Sequence, residues 1–201
     1  MQIMTAKFSG SKPLLMSNEQ MANPLSKASQ RLKEITQKRN KTEDDYWECA
    51  RREFDGGMYF DDALGPIIPS RILRAALIAG AKKLKLGPKV TEGVTFVDLE
   101  YKLLYTGPRD KDGLWKKGFY DQRMVGNQRA RVLRTRPMFK DWAVEFQIIF
   151  DPTMIDERNI TDVLRRAETL GIGDYRPLFG TYQSKVLGVA QWQIDLPEAA
   201  E

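Results

Sequence analysis

The chain has 201 residues, 42% of them hydrophobic, and a formal net charge of +5. It contains one cysteine, Cys49, and no histidine, which excludes an intrachain disulfide, histidine-based acid–base catalysis and most zinc sites. Because the sequence has no apolar run that could span a membrane and no signal-peptide pattern, we expect a cytoplasmic protein. Its length predicts one domain over residues 1–201. We expect no cofactor and no metal.

The charge is distributed unevenly along the chain. Residues 102–140 carry eleven Lys/Arg and three Asp/Glu, whereas residues 141–201 carry five and eleven. A concentrated basic segment is typical of proteins that bind a polyanion. The acidic C-terminal third suits contact with the basic segment of a neighbouring copy.

The first third of the chain predicts a strand over 2–8 and then a helical insertion over 14–66. Within the insertion, Thr42 precedes three acidic residues and predicts a capping box. Ser70 is expected to cap a helix over 70–85 that packs on the sheet through its apolar stripe. Arg71 and Arg74 lie near the start of that helix, where the dipole disfavours cations and a bound anion would compensate.

The middle of the chain predicts a strand over 94–105 and then a basic hairpin insertion over 107–140. Its arms are 119–125 and 130–138, around Gly126-Asn127. The hairpin has six cations against Asp121: Arg123, Arg129, Arg131, Arg134, Arg136 and Lys140. Arginine forks suit phosphates and nearby aromatic rings suit unstacked bases. The alternative is a charged edge hairpin that is protected from aggregation.

The last third predicts a strand over 141–150, a helix over 161–170 capped by Thr161, and a strand over 179–194. Between them lies a glycine-rich loop, residues 171–180. A helix ending at Gly171 would have a left-handed cap, and the following glycines would leave N–H groups free as a nest for phosphate oxygens. The alternative is an ordinary loop with a glycine cap.

The order of these elements predicts the fold class. Without the insertions, the pattern is βαββαβ, the order of an α+β ferredoxin-like or RRM fold with one antiparallel sheet.

Two segments together resemble the CRISPR-associated RAMP superfamily, the RRM-fold subunits of multi-subunit CRISPR effector complexes. One is Gly65–Leu77, which leads into the first helix, with Ser70 where that family usually has glycine; the other is Gly171–Gly180. The resemblance implies a backbone subunit that polymerises along guide RNA and clamps it with a thumb. The hairpin over 118–138 corresponds to that thumb in position. A stand-alone relative from a phage or mobile element is also compatible.

The leading hypothesis is a non-catalytic subunit that binds single-stranded RNA or DNA and oligomerises head to tail into a filament or ring. Other effector subunits would be further partners, and no membrane is involved. The predicted nucleic-acid contacts are Ser70, Arg71, Arg74, Arg123, Arg129, Arg131, Arg134, Arg136, Gly171, Gly173, Tyr175 and Arg176. The residues do not distinguish RNA from DNA, since both present phosphates and stackable bases.

Two other classes of function remain open. Some members of the family cleave RNA with an aspartate before the first helix, which would make Asp55, Asp61 or Asp62 the candidate in a metal-dependent ribonuclease. The third hypothesis is a structural protein-interaction module of a phage or effector assembly, in which the hairpin arginines face an acidic partner.

Overall fold

A large antiparallel sheet is the centre of the computed structural model, which describes residues 1–127 and 130–192 (for Asn127 and Ala130, the backbone only). The described strands are β1 (Gln2–Gly10), β2 (Leu14–Leu15), β3 (Phe60–Asp61), β4 (Gly65–Pro69), β5 (Val94–Phe96), β6 (Glu100–Leu104), β7 (Tyr120–Asn127), β8 (Ala130–Phe139), β9 (Ala143–Phe150) and β10 (Tyr182–Gln191). The described helices are α1 (Lys27–Thr36), α2 (Glu43–Gly57), α3 (Ser70–Lys83), α4 (Gly87–Gly93), α5 (Lys111–Lys116) and α6 (Glu157–Ala167), with a 3-10 turn at Glu19–Met21.

The strand order confirms the predicted α+β class. The main sheet runs β10-β1-β9-β6-β4-β3, and β5 also pairs with β9. Strand β1 is antiparallel to both β9 and β10. Along the chain, α3 lies after β1 and before the β5–β6 segment, and α6 lies between β9 and β10, which gives the βαββαβ order of a ferredoxin-like fold, with β4 and β3 added at one edge of the sheet.

The predicted strand over 94–105 is interrupted by a bulge. Phe96 pairs with Ile148 and Leu103 with Val144, so the segment 97–102 lies opposite only 145–147. The Tyr101 hydroxyl stabilises the bulge, since it accepts a hydrogen bond from the Asp98 N–H and donates one to the Gln147 carbonyl. The bulge leaves β6 free to pair with β4 on its other side.

One predicted helix cap is confirmed and two are wrong. Thr42 and Asp45 form the reciprocal capping box at the start of α2. Ser70 is the first helical residue of α3, after Pro69, and its N–H donates to the Leu99 carbonyl of the bulge. Thr161 lies inside α6, which begins earlier because the Asp156 carboxylate accepts from the Asn159 N–H.

The two long segments between core elements form a second layer. Strands β7 and β8 make the predicted hairpin, with Asn127 opposite Ala130, and β2 pairs with the base of β8. Helix α2 packs against β8. Two short helices form where no helix was expected. Helix α4 begins at Gly87, and α5 begins within the loop that was predicted after the strand over 94–105. Whether these segments are insertions in a single domain stays a prediction.

The core is continuous between the sheet and the helices. Phe8 is fully buried, with its ring centroid 4.7 Å from that of Phe146 and 3.9 Å from that of Tyr182. Tyr182 is so deeply buried that desolvation raises its pKa far above the ordinary value for tyrosine. In the described residues, no helix is both long enough and apolar enough to cross a bilayer.

Helices α3 and α6 approach each other closely at Gly80. A Cβ atom added there would lie 2.6 Å from the Val163 carbonyl oxygen and 3.1 Å from the Ala167 side chain. Glycine at this position therefore serves the helix packing, although it lowers the helical propensity of α3.

We expect Gly80→Ala to destabilise the protein by about 1 to 3 kcal/mol, because overpacking outweighs the roughly 1 kcal/mol that alanine gains in a helix. Urea unfolding followed by circular dichroism measures the change in midpoint. Gly188→Ala is the control, since an added Cβ there has nothing within 4 Å. A higher urea midpoint for Gly80→Ala would contradict the expectation.

Candidate nucleic-acid interface

The glycine-rich loop is docked on one face of the hairpin. Arg136 of β8 donates to the Asp174 carboxylate, and its guanidinium lies 4.6 Å from the centre of the Tyr175 ring. Arg123 of β7 lies 5.2 Å from the same ring and 4.6 Å from that of Phe179. The Tyr175 ring is thus in cation–π contact with two arginines, which joins the two predicted binding segments into one unit.

The loop glycines allow close backbone packing. Gly171, Gly173 and Gly180 have φ values of 70°, 81° and 69°. A Cβ atom on Gly173 would lie 2.4 Å from the Leu15 carbonyl oxygen. Since side chains are disfavoured at positive φ, both the backbone shape and the contact with β2 require glycine.

Several N–H groups of the predicted phosphate nest donate within the protein. The Gly171 N–H donates to the Ala167 carbonyl and the Gly180 N–H to the Pro13 carbonyl. The intervening Ile172 and Asp174 N–H groups donate to Gly180 and Leu15. These four donors are occupied and cannot contribute to a nest, whereas the Gly173 N–H donates to no acceptor within the described residues.

A cleft of about 390 Å³ lies between the loop and the first turns of α3. Arg71 and Ala75 line one wall, and Gly173 and Arg176 line the other. Arg71 is half exposed and pairs with the exposed Glu19 at 3.0 Å. Arg176 is exposed and makes no ion pair within the described ranges.

This cleft adjoins two others. A cleft of about 420 Å³ shares Gly173, Asp174 and Arg176 with it, and a cleft of about 280 Å³ beside the hairpin shares Ser17 and Glu19. We call the combined depression the arginine groove. Its charged lining residues are Arg71, Arg134, Arg136 and Arg176 with Glu19, Glu53 and Asp174.

Three hairpin arginines are held in internal ion pairs. Arg123 and Arg134 lie directly opposite each other on β7 and β8, where like charges repel. Asp121 accepts two hydrogen bonds from Arg123 and raises the pKa of its guanidinium. Arg134 donates to Glu53 at 2.5 Å. Each arginine therefore has its own carboxylate, which offsets the repulsion across the strands.

Glu53 anchors the hairpin to α2. It is buried, and its second oxygen accepts from the Thr135 N–H at 2.7 Å. This role of Glu53 was not predicted from the sequence. A carboxylate on the buried face of α2, between Ala50 and Phe54, was the available signal.

The other predicted contacts lie around the groove or outside it. Arg74 donates to the Thr91 carbonyl at 3.1 Å, toward α4. Arg131 is exposed near the outer end of β8, on the same face as Leu133 and Thr135. Arg129 lies outside the described residues. Whether each residue contacts nucleic acid stays a prediction.

The three candidate catalytic aspartates lie in different surroundings. Asp55 is in the last turns of α2 and pairs with Arg51 at 2.9 Å. Asp61 accepts from the Ala63 and Leu64 N–H groups in the turn before β4, and Asp62 is exposed. In the part of the chain that the structure describes, no three His, Cys, Asp or Glu residues form a group that could hold a metal ion. A catalytic role for any of them remains a hypothesis.

Comparison with known proteins finds similarity among solved structures. No protein-family model and no curated protein matches the sequence. A chain in the "Cryo-EM structure of the Type III-B Cmr-beta bound to cognate target RNA" aligns with 94% of this chain at a TM-score of 0.48 and 8% identity. The alignment spans 60% of that chain's length.

We expect Glu53→Ala to lower the free energy of unfolding by about 2 to 3 kcal/mol, because the buried Thr135 N–H and Arg134 both lose their acceptor. Chemical denaturation measures the loss. Glu48→Ala on the same helix is the control, since Glu48 pairs only with Arg52 at the surface and should cost less than about 0.5 kcal/mol. Equal effects of the two substitutions would show that Glu53 does not anchor the hairpin.

Proposed function

We propose that the protein is a non-catalytic binding protein for single-stranded nucleic acid, with the strand lying in the arginine groove. One observation carries the proposal. Residues predicted as contacts from three distant segments converge on adjoining clefts of one surface: Arg71 of α3, Arg176 of the loop, and Arg134 and Arg136 of β8. Convergence of separate basic segments on one open groove is the arrangement expected for a strand that is held by its backbone.

The arginines of the groove have different roles in this proposal. Arg134 and Arg136 are paired with Glu53 and Asp174 and hold the groove's shape. Arg71 and Arg176 are the phosphate contacts. The Arg71–Glu19 pair is exposed on both sides, so it contributes little to stability and a phosphate can take the place of Glu19. Arg176 projects from the opposite wall.

The proposal extends to head-to-tail assembly along the strand. The basic segment 102–140 and the acidic segment 141–201 provide opposite charges for such a contact. Leu178 lies two residues after Arg176 and is 65% exposed, so it supplies an exposed apolar group for a contact between copies. Heterologous contacts of this kind form filaments or rings. With the sequence resemblance to RAMP subunits, the strand would be a guide RNA and the further partners other effector subunits.

Fluorescence anisotropy with labelled single strands of RNA and DNA tests strand binding. We expect Arg71→Ala and Arg176→Ala each to weaken binding by about tenfold, because each removes a charge-assisted contact to phosphate. Each should also reduce the slope of log affinity against log salt by about 0.7.

Arg158→Ala is the matched control, since Arg158 is an exposed arginine of α6 that does not line the groove. Absent or salt-independent binding by the unaltered protein would overturn the proposal and favour a protein-interaction module. Cleavage of labelled RNA with Mg²⁺ or Mn²⁺ in the same samples would favour the ribonuclease hypothesis instead.

Sedimentation analysis tests the assembly. We expect the number of protein copies per strand to rise in steps as the single strand is lengthened, and Leu178→Asp to leave one copy bound without abolishing binding. One copy per strand at every length would contradict head-to-tail assembly while leaving the groove proposal intact.

A further inference from the structure

An apolar slot lies between α2 and β8, outside the arginine groove. Tyr46, Cys49 and Ala50 of α2 form one side, and Val132 and Leu133 of β8 form the other. Thr36 and Lys41 also line the slot. The slot has a volume of about 90 Å³. Tyr46 and Leu133 stay 52% and 38% exposed, so the slot opens to solvent between an aromatic ring and an aliphatic side chain.

The slot adjoins the arginine groove. Both are lined by Glu53, Arg134 and Thr135, so the Arg134–Glu53 ion pair forms the boundary between them. Arg131 is exposed two residues before Leu133 on the same face of β8, beyond the slot. A strand that leaves the groove past Arg134 therefore meets apolar surface next, with a cation farther out.

The size and lining of the slot limit what can occupy it. A dry cavity of about 150 Å³ holds a benzene molecule. The slot's volume of about 90 Å³ is smaller than this, but because the slot opens to solvent at one side, a flat six-membered ring can insert one edge into it. A purine, with two fused rings, would leave more of its surface outside the slot. A helix or strand of a protein partner is larger still.

We propose that this slot receives one pyrimidine base of the single strand bound in the arginine groove, stacked against Tyr46. The proposal rests on the proposed function and adds a preference for the type of base to it. Stacking on an aromatic ring tolerates any base, whereas the narrow space between α2 and β8 selects by ring size. Arg131 then lies where it can contact the next phosphate along the strand.

Binding of oligouridine and oligoadenosine of equal length provides the first test. We expect the unaltered protein to prefer oligouridine, and Tyr46→Ala to weaken oligouridine binding by roughly fivefold or more and to abolish the preference. Trp47→Ala is the matched control. Trp47 is the neighbouring residue and is 48% exposed, but it does not line the slot. Tyr46→Phe should retain both affinity and preference, which separates stacking from any folding defect.

Cys49 provides a second readout that is independent of affinity. It is the chain's sole cysteine and lines the slot. Burial, with a further contribution from Glu53, raises the pKa of its thiol, so a maleimide at pH 8 should modify it slowly in the free protein. We expect saturating oligouridine to slow this modification at least fivefold, as measured by mass spectrometry.

The outcomes distinguish failure of the inference from failure of the proposed function. If oligouridine binds through Arg71 and Arg176 but leaves the rate of Cys49 modification unchanged, the slot proposal is wrong and the groove proposal stands. Equal losses for Tyr46→Ala and Trp47→Ala would also overturn it. If no strand binds at all, both proposals fail.

Discussion

The ion pair between Arg136 and Asp174 is the interaction on which the proposed binding surface depends. It joins β8 to the glycine-rich loop, and the Tyr175 ring between Arg123 and Arg136 extends the contact. The loop can approach because Gly173 has a positive φ and no side chain against the Leu15 carbonyl. Without this docking, the hairpin and the loop would be separate segments and their arginines would not line adjoining clefts.

The surroundings of each arginine determine the role proposed for it. A guanidinium that is partly shielded from solvent and lies beside other cations is stabilised by a carboxylate partner, and Glu53 and Asp174 provide this for Arg134 and Arg136. Solvent screens the charge of Arg71 and Arg176, which can therefore remain at the surface for a ligand. High local arginine density in a sequence thus does not by itself identify the phosphate contacts.

Helix α2 contributes to both proposed sites. Its buried Glu53 fixes the hairpin in place by binding Arg134 and the Thr135 N–H. One to two turns earlier on the same helix, Tyr46 and Cys49 form a wall of the apolar slot. The groove and the slot are consequently two sides of one contact between α2 and β8, and a strand that occupies both would pass over the Arg134–Glu53 pair.

The sequence by itself determined the βαββαβ order, the Thr42 capping box and the hairpin arms, because hydrophobic period, capping residues and turn residues act over a few neighbouring positions. It assigned the N-caps of α3 and α6 to the wrong residues, since Pro69 precedes α3, whose Ser70 N–H donates to the sheet, and Asp156 caps α6 ahead of Thr161. Only the tertiary structure decided that Asp174 pairs with Arg136, that Glu53 pairs with Arg134, and that Arg71 faces Arg176. These residues are 38, 81 and 105 positions apart. Ion pairs at such separations have no local pattern, since the fold alone brings their side chains together.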